Sequence, residues 1–194
     1  VRERGVMNAV LSAEPVLSDA HKRALRNYRV REAVESVTCR QSFSEGQGRR
    51  VVLCDYGAKA NIRRELVKRG CEVVTVPGRT PAAEILALHP DGIMLSNGPG
   101  DPADNAPIIR HIRCLFDSGV PMFGICLGHQ MMAIAYGGRT RKMKYGHRGA
   151  NQPVQNTRTD RVYITSQNHG YCVVGESLGL GAELTYVNAN DGTC

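Results

Sequence analysis

The sequence has no tryptophan, only seven tyrosines and three phenylalanines, and no run of eighteen consecutive apolar residues. The last absence argues against a transmembrane helix. The opening residues, "VRERGVMNAV", also lack the basic, then apolar, then small succession of a secretory signal. There is no low-complexity tract and no repeat of fixed period, which argues against a disordered or solenoid chain. The seven cysteines (Cys39, Cys54, Cys71, Cys114, Cys126, Cys172 and Cys194) are odd in number, widely spaced and free of any CxxC pair. Neither a disulfide framework nor a zinc site is expected from them. These absences together describe a cytoplasmic protein with no membrane contact and no metal.

What is present fits one sizeable core. The chain has 194 residues, 42% of them hydrophobic and 22% charged, with a formal net charge of +7. Basic residues gather at 21–31 ("HKRALRNYRVR") and 139–148 ("RTRKMKYGHR"). With so few aromatics and no nucleic-acid-binding motif, they read as a solvated or protein-facing surface, and no nucleic-acid partner is expected.

From Val51 onward, short apolar runs alternate with helical segments, the signature of βα units that feed a parallel sheet. "RRVVLCDYG", "CEVVTVP", "DGIMLS" and "VPMFGI" read as buried strands. "KANIRRELVKRG" reads as a helix stopped at Gly70, and "APIIRHIRCLFDSG" as another. "TPAAEILALHP" is expected to be a short helix with Thr80 as N-cap and Pro81 at its first position. "LGHQMMAIAYGG" is an apolar helix ended by paired glycines. After Gly138 the pieces become strand-like and are joined by polar turns. The first fifty residues hold one helix near 18–28, with "SFSEGQGRR" as a linker. The expected fold is a three-layer α/β domain with a mostly parallel central sheet and an antiparallel C-terminal extension.

One stretch stands out chemically. In "PMFGICLGHQ", Cys126 falls at the carboxyl end of an expected strand and immediately before a helix, the edge at which open α/β sheets bind ligands. Its G-x-C-x-G spacing is that of a nucleophile elbow, with sulfur in place of oxygen. The helix N-terminus is expected to favour thiolate over thiol. A buried cysteine that happens to lie between two glycines is the alternative. A second loop, "LSNGPGDP" at 95–102, leaves the preceding strand at the same sheet edge. Its backbone amides suit an oxyanion; a phosphate loop or a plain turn are the other readings, and no Gly-Lys-Ser/Thr follows to favour phosphate.

"LSNGPGDP", "FGICLGHQ", "KYGHRGANQPV" and "SQNHGY", in that order, resemble the class I glutamine amidotransferases, in particular the amidotransferase domain of carbamoyl phosphate synthetase small chains. "DYGAKANI" at 55–62 favours that branch over the anthranilate, aminodeoxychorismate and GMP synthetase relatives. "RERGVMNAVLS" and "REAVESVTC" resemble the connector between that family's two domains. The resemblance therefore implies that residues 1–49 are a connector left from an N-terminal domain. Residues 50–194 would be the amidotransferase domain without its C-terminal part.

It implies further that Cys126 attacks the side-chain amide of glutamine to give a glutamyl thioester and ammonia. The amides of Gly98 and Leu127 would form the oxyanion hole, and Gly98, Gly100, Leu127, Gln130, Asn168, Gly170 and Tyr171 would line the glutamine site. Ammonia would pass to a large synthetase chain that uses ATP, magnesium and bicarbonate, with no cofactor in this chain. The resemblance does not separate arginine from pyrimidine synthesis. The family's general base lies in a His-Pro-Glu motif, which these 194 residues lack, so weak turnover is expected. His129 is expected to pack beneath the elbow, His169 to shape the pocket and His147 to order a loop. The other readings are a non-catalytic interaction module with an amidotransferase shell, or the amidotransferase subunit of another synthase.

Overall fold

The structure is a computed structural model that describes residues 3–194. Val1 and Arg2, the start of the expected connector, lie outside the described residues. The helices are α1 (Asp19–Asn27), α2 (Ala60–Lys68), α3 (Ala82–Ala87), α4 (Ala106–Phe116) and α5 (Leu127–Ala135). The strands are β1 (Phe43–Glu45), β2 (Arg49–Asp55), β3 (Cys71–Pro77), β4 (Gly92–Leu95), β5 (Met122–Gly124), β6 (Arg139–Asn156), β7 (Val162–Val174) and β8 (Tyr186–Asn188).

The first five strands form one sheet in the order β1-β3-β2-β4-β5, in which only β1 runs antiparallel to its neighbour. Its central strands carry Val52, Leu53, Val73, Ile93 and Leu95, all at most 2% exposed. Near-continuous apolar strands of this kind need cover on both faces. Crossover helices supply it: α2 links β2 to β3, α3 links β3 to β4 and α4 links β4 to β5. Helix α4 packs α3 and α5 through Ile108, Ile112 and Leu115. Three layers result, with Leu127 and Met131 of α5 fully buried among them.

The C-terminal third supplies the expected antiparallel strands as a sheet of its own, ordered β7-β6-β8. Strand β6 is continuous over 18 residues, although its sequence reads as short pieces. Bulges between Lys142 and His147 and between Gly149 and Gln152 absorb the glycines that interrupt the pattern.

Two local expectations are corrected. Helix α3 is preceded by Pro81 at the N-cap position, without a side-chain cap from Thr80, and Ala82 is its first residue. The expected linker at 42–50 contains β1, whose residues Phe43 to Glu45 pair with Thr75 to Val73. Upstream of it, Val34 is 2% exposed within the core, and Thr38 Oγ1 donates to the Asp55 carbonyl at 2.7 Å while accepting from Gly78 N at 2.8 Å. Among the described residues, no helix is long and apolar enough to cross a membrane.

Candidate functional site

Strand β5 ends at Gly124 and α5 begins at Leu127, so the chain must reverse within two residues. Cys126 takes the strain, at φ 52° and ψ −108°, a region that L-residues other than glycine seldom occupy. The flanking glycines are required by contact. A Cβ on Gly124 would stand 2.5 Å from the His129 nitrogen, and one on Gly128 would stand 2.3 Å from the Leu95 carbonyl oxygen. The elbow is stitched to β4 by Ile125 N donating to Leu95 O at 2.9 Å and Gly128 N donating to Ser96 O at 3.0 Å.

The 95–102 loop is held by side chains that sequence reasoning had passed over. Ser96 is fully buried, and its hydroxyl accepts from Tyr56 N and donates to Asn97 O, both at 2.8 Å. Asn97 accepts from Lys59 N at 3.0 Å and donates to Gly57 O at 3.0 Å. Asp55 completes the clip by accepting from Gly57 N, Ala58 N and Cys39 N. These bonds explain the composition of "DYGAKANI": its turn is shaped to carry the neighbouring loop. Gly98 then approaches closely enough that a Cβ there would meet Tyr56 O at 2.2 Å and Leu127 Cδ2 at 2.7 Å. Asp101 closes the loop by capping a 3₁₀ turn at Pro102–Asp104.

Cys126, Gly98, Gly100, Gln130, Asn168, Gly170 and Tyr171 all line a single cleft of about 1270 Å³. Leu127 is buried beneath it. A second cavity of about 740 Å³ reaches Cys126, Gly98 and Asn168 from the side of α2 and Lys59. The first cleft also contains residues not singled out from the sequence: Met7, Asn8 and Tyr28 to Glu32 from the N-terminal segment, and Lys142 and Arg148 from β6. Nothing in a single sequence places β6 or residues 28–32 against the elbow, because both pairings are long-range.

The pocket's back wall is tied together at one carbonyl. Tyr171 O accepts from Gln130 Nε2 at 2.8 Å and from His169 Nδ1 at 2.7 Å. Burial and a hydrogen bond to Asp101 push the Tyr171 hydroxyl up to about 12, so it remains a donor. His169 Nε2 lies 3.3 Å from His147 Nδ1, and His147 Nε2 lies 2.9 Å from Asp191 Oδ2. His169 Nε2 also lies 3.1 Å from Gln167 Oε1. Burial lowers the His169 pKa, and the charges of His147 and Arg148 lower it further, against the Tyr171 carbonyl bond. His129 is lowered by burial and by His169. His147 and His169 are thus committed to the wall.

Burial opposes the thiolate that the helix N-terminus is expected to favour. Burial raises the Cys126 thiol above the ordinary cysteine value, and it outweighs the opposing Leu127 N–H bond and the charges of Lys59 and Arg148. The helix N-terminus acts in the anticipated direction and loses to desolvation.

The family model described as glutamine amidotransferase class-I matches residues 52–194. The carbamoyl phosphate synthase small chain of Bacillus caldolyticus is 48% identical over 198 residues, which takes in 100% of this chain and 54% of that protein. The protein of the same name from Symbiobacterium thermophilum is 45% identical over 202 residues, covering 100% of this chain and 56% of the relative. The chain therefore spans about half the length of the curated relatives it matches.

Among solved structures, a putative GMP synthase subunit from Thermoplasma acidophilum aligns with a TM-score of 0.63 at 21% identity, over 75% of each chain. A glutamine amidotransferase from Thermotoga maritima aligns at 0.57 and 16% identity, over 75% of this chain and 69% of that one. These two share the fold, an α/β architecture with a mostly parallel sheet and a separate antiparallel one. The chain belongs to the class I glutamine amidotransferase family.

Proposed function

We propose that the chain binds L-glutamine in the cleft and that Cys126 attacks its side-chain carboxamide, as the ammonia-supplying part of a carbamoyl phosphate synthase. The observation that carries this reading is the elbow. A cysteine held at a left-handed φ between β5 and α5, with Gly98 packed beside Leu127, supports a nucleophile with two amide donors beside it.

In the reaction the sulfur–carbon bond forms as the carbonyl oxygen gathers negative charge on the Gly98 and Leu127 amides. The carbon–nitrogen bond then breaks, and the thiol proton leaves with the nitrogen as ammonia. Water hydrolyses the glutamyl thioester to glutamate and restores the thiol. Gly100, Asn168, Gly170 and Tyr171 border the amino-acid end, with Gln130 holding Tyr171 in place. The large synthase chain, with its ATP and magnesium, is proposed as the partner from the names of the curated relatives.

The elevated thiol pKa makes the missing base consequential. No His-Pro-Glu occurs in these 194 residues, and positioned acid–base catalysis contributes about 10²–10⁴-fold. The chain by itself is therefore a slow glutaminase that stalls at or before the thioester. Incubation with glutamine should give a mass-detectable glutamyl adduct on Cys126. Steady ammonia release should lie about 10²–10⁴-fold below that of a relative with the motif. Cys126→Ala should abolish both; equal ammonia release from the variant would refute the assignment.

A further inference from the structure

The residues assigned to the proposed reaction leave several charges in the cleft without a task, among them Arg29, Arg31, Glu32, Lys142 and Arg148. Arg148 sits on β6 directly opposite Asn168 of β7, as His147 sits opposite His169, just before the second bulge. Its Nη1 donates to the His147 carbonyl at 2.9 Å and also to the His169 carbonyl. Its Nη2 comes within 3.4 Å of the place a Cβ on Gly170 would occupy, so glycine at that position leaves the guanidinium room. Among the described residues Arg148 makes no ion pair with a carboxylate; its partners are neutral carbonyls that fix its plane without neutralising it.

A guanidinium oriented in this way is a preformed fork for a carboxylate. The loop that lines the same cleft has the opposite character: Asp101 and Asp104 lie there. One cleft therefore offers cations at Lys142 and Arg148 on β6 and at Arg29 and Arg31, and carboxylates at Glu32, Asp101 and Asp104, with the sulfur of Cys126 among its lining groups. That charge pattern complements a zwitterion with an amide side chain. It does not complement a neutral amide or a glutamine within a peptide.

We infer that Arg148 binds the α-carboxylate of free glutamine and so selects the free amino acid over amides that lack that carboxylate. This rests on the glutamine reading above. The arginine's field also reaches the sulfur, where it opposes the effect of burial on the thiol. It thus serves the pocket as a specificity residue and the nucleophile at a distance.

The test is protection of Cys126 from iodoacetamide in the 194-residue chain, followed by peptide mass spectrometry so that the other cysteines do not interfere. Each variant is normalised to its own unliganded alkylation rate, which also reports whether the site is intact. L-Glutamine should protect the wild type at lower concentration than L-glutaminamide, whose α-carboxylate is replaced by an amide. Arg148→Gln should raise the half-protecting glutamine concentration by about tenfold or more and erase the preference over glutaminamide. Arg148→Lys, which keeps the charge without the fork, should recover part of both. Unchanged protection and preference in Arg148→Gln would overturn the inference while leaving glutamine as the ligand. Failure of glutamine to protect the wild type would overturn the glutamine reading, and this inference with it.

Discussion

At Cys126 two effects act on one sulfur in opposite directions. Removal from water disfavours the thiolate, while the Leu127 N–H, Lys59 and Arg148 favour it, and burial wins. The sign of the pH dependence follows. Because the thiolate is the reactive form and the pKa is raised, the protonated form dominates at neutral pH. Alkylation of Cys126 by iodoacetamide should therefore climb about tenfold per pH unit through neutrality. It should level off only above the value of about 8.5 expected for the same cysteine in urea. A plateau at or below neutral pH would mean that the cations outweigh burial. The strained backbone and the protonated thiol describe a nucleophile positioned for reaction that still needs a proton acceptor.

At the scale of elements, the junction of β4, β5 and α5 sets where that sulfur sits, and its tolerance for added volume is small. Gly128 lies within α5, where alanine has the better helix propensity by about 1 kcal/mol. A methyl there would meet the Leu95 carbonyl oxygen at 2.3 Å, and backbone on both sides of the contact has little room to yield. The clash should win, so Gly128→Ala should lose about 1–3 kcal/mol in urea unfolding. A gain in stability would show that α5 can move off β4.

The same elements mark what a single sequence reveals. Helices α2, α4 and α5 and strands β2 to β5 were legible because apolar periodicity and glycine stops are local signals. So was the elbow, since the G-x-C-x-G spacing is itself a local signal, although Gly128 answers a contact with Leu95 on β4. Strand β1, the continuity of β6 and the clip made by Asp55, Ser96 and Asn97 were not legible, because each depends on partners tens of residues away. Arg148 belongs with them: only the β6–β7 register brings it to Asn168.

For the molecule as a whole, the open question is where its folded unit begins. Residues 9–29 are almost entirely exposed, and α1 within them buries no residue. Four residues beyond Val30 the situation reverses. Val34 enters the core, Thr38 bridges the Asp55 carbonyl and Gly78 N, Cys39 N donates to the Asp55 side chain at 2.8 Å, and β1 closes the edge of the sheet. Removing that segment would empty the Val34 site, at a cost of several kcal/mol by analogy with large-to-small core changes of about 2–5 kcal/mol. It would also leave Asp55 without its Cys39 bond. Limited proteolysis of the 194-residue chain should cut within 9–29, where exposed backbone has little to protect it. It should then pause at a fragment beginning near Ala33. A stable core that begins at residue 46 or later would show instead that Val34, Thr38 and β1 are dispensable. The domain would then begin at β2, with everything before it a detachable connector.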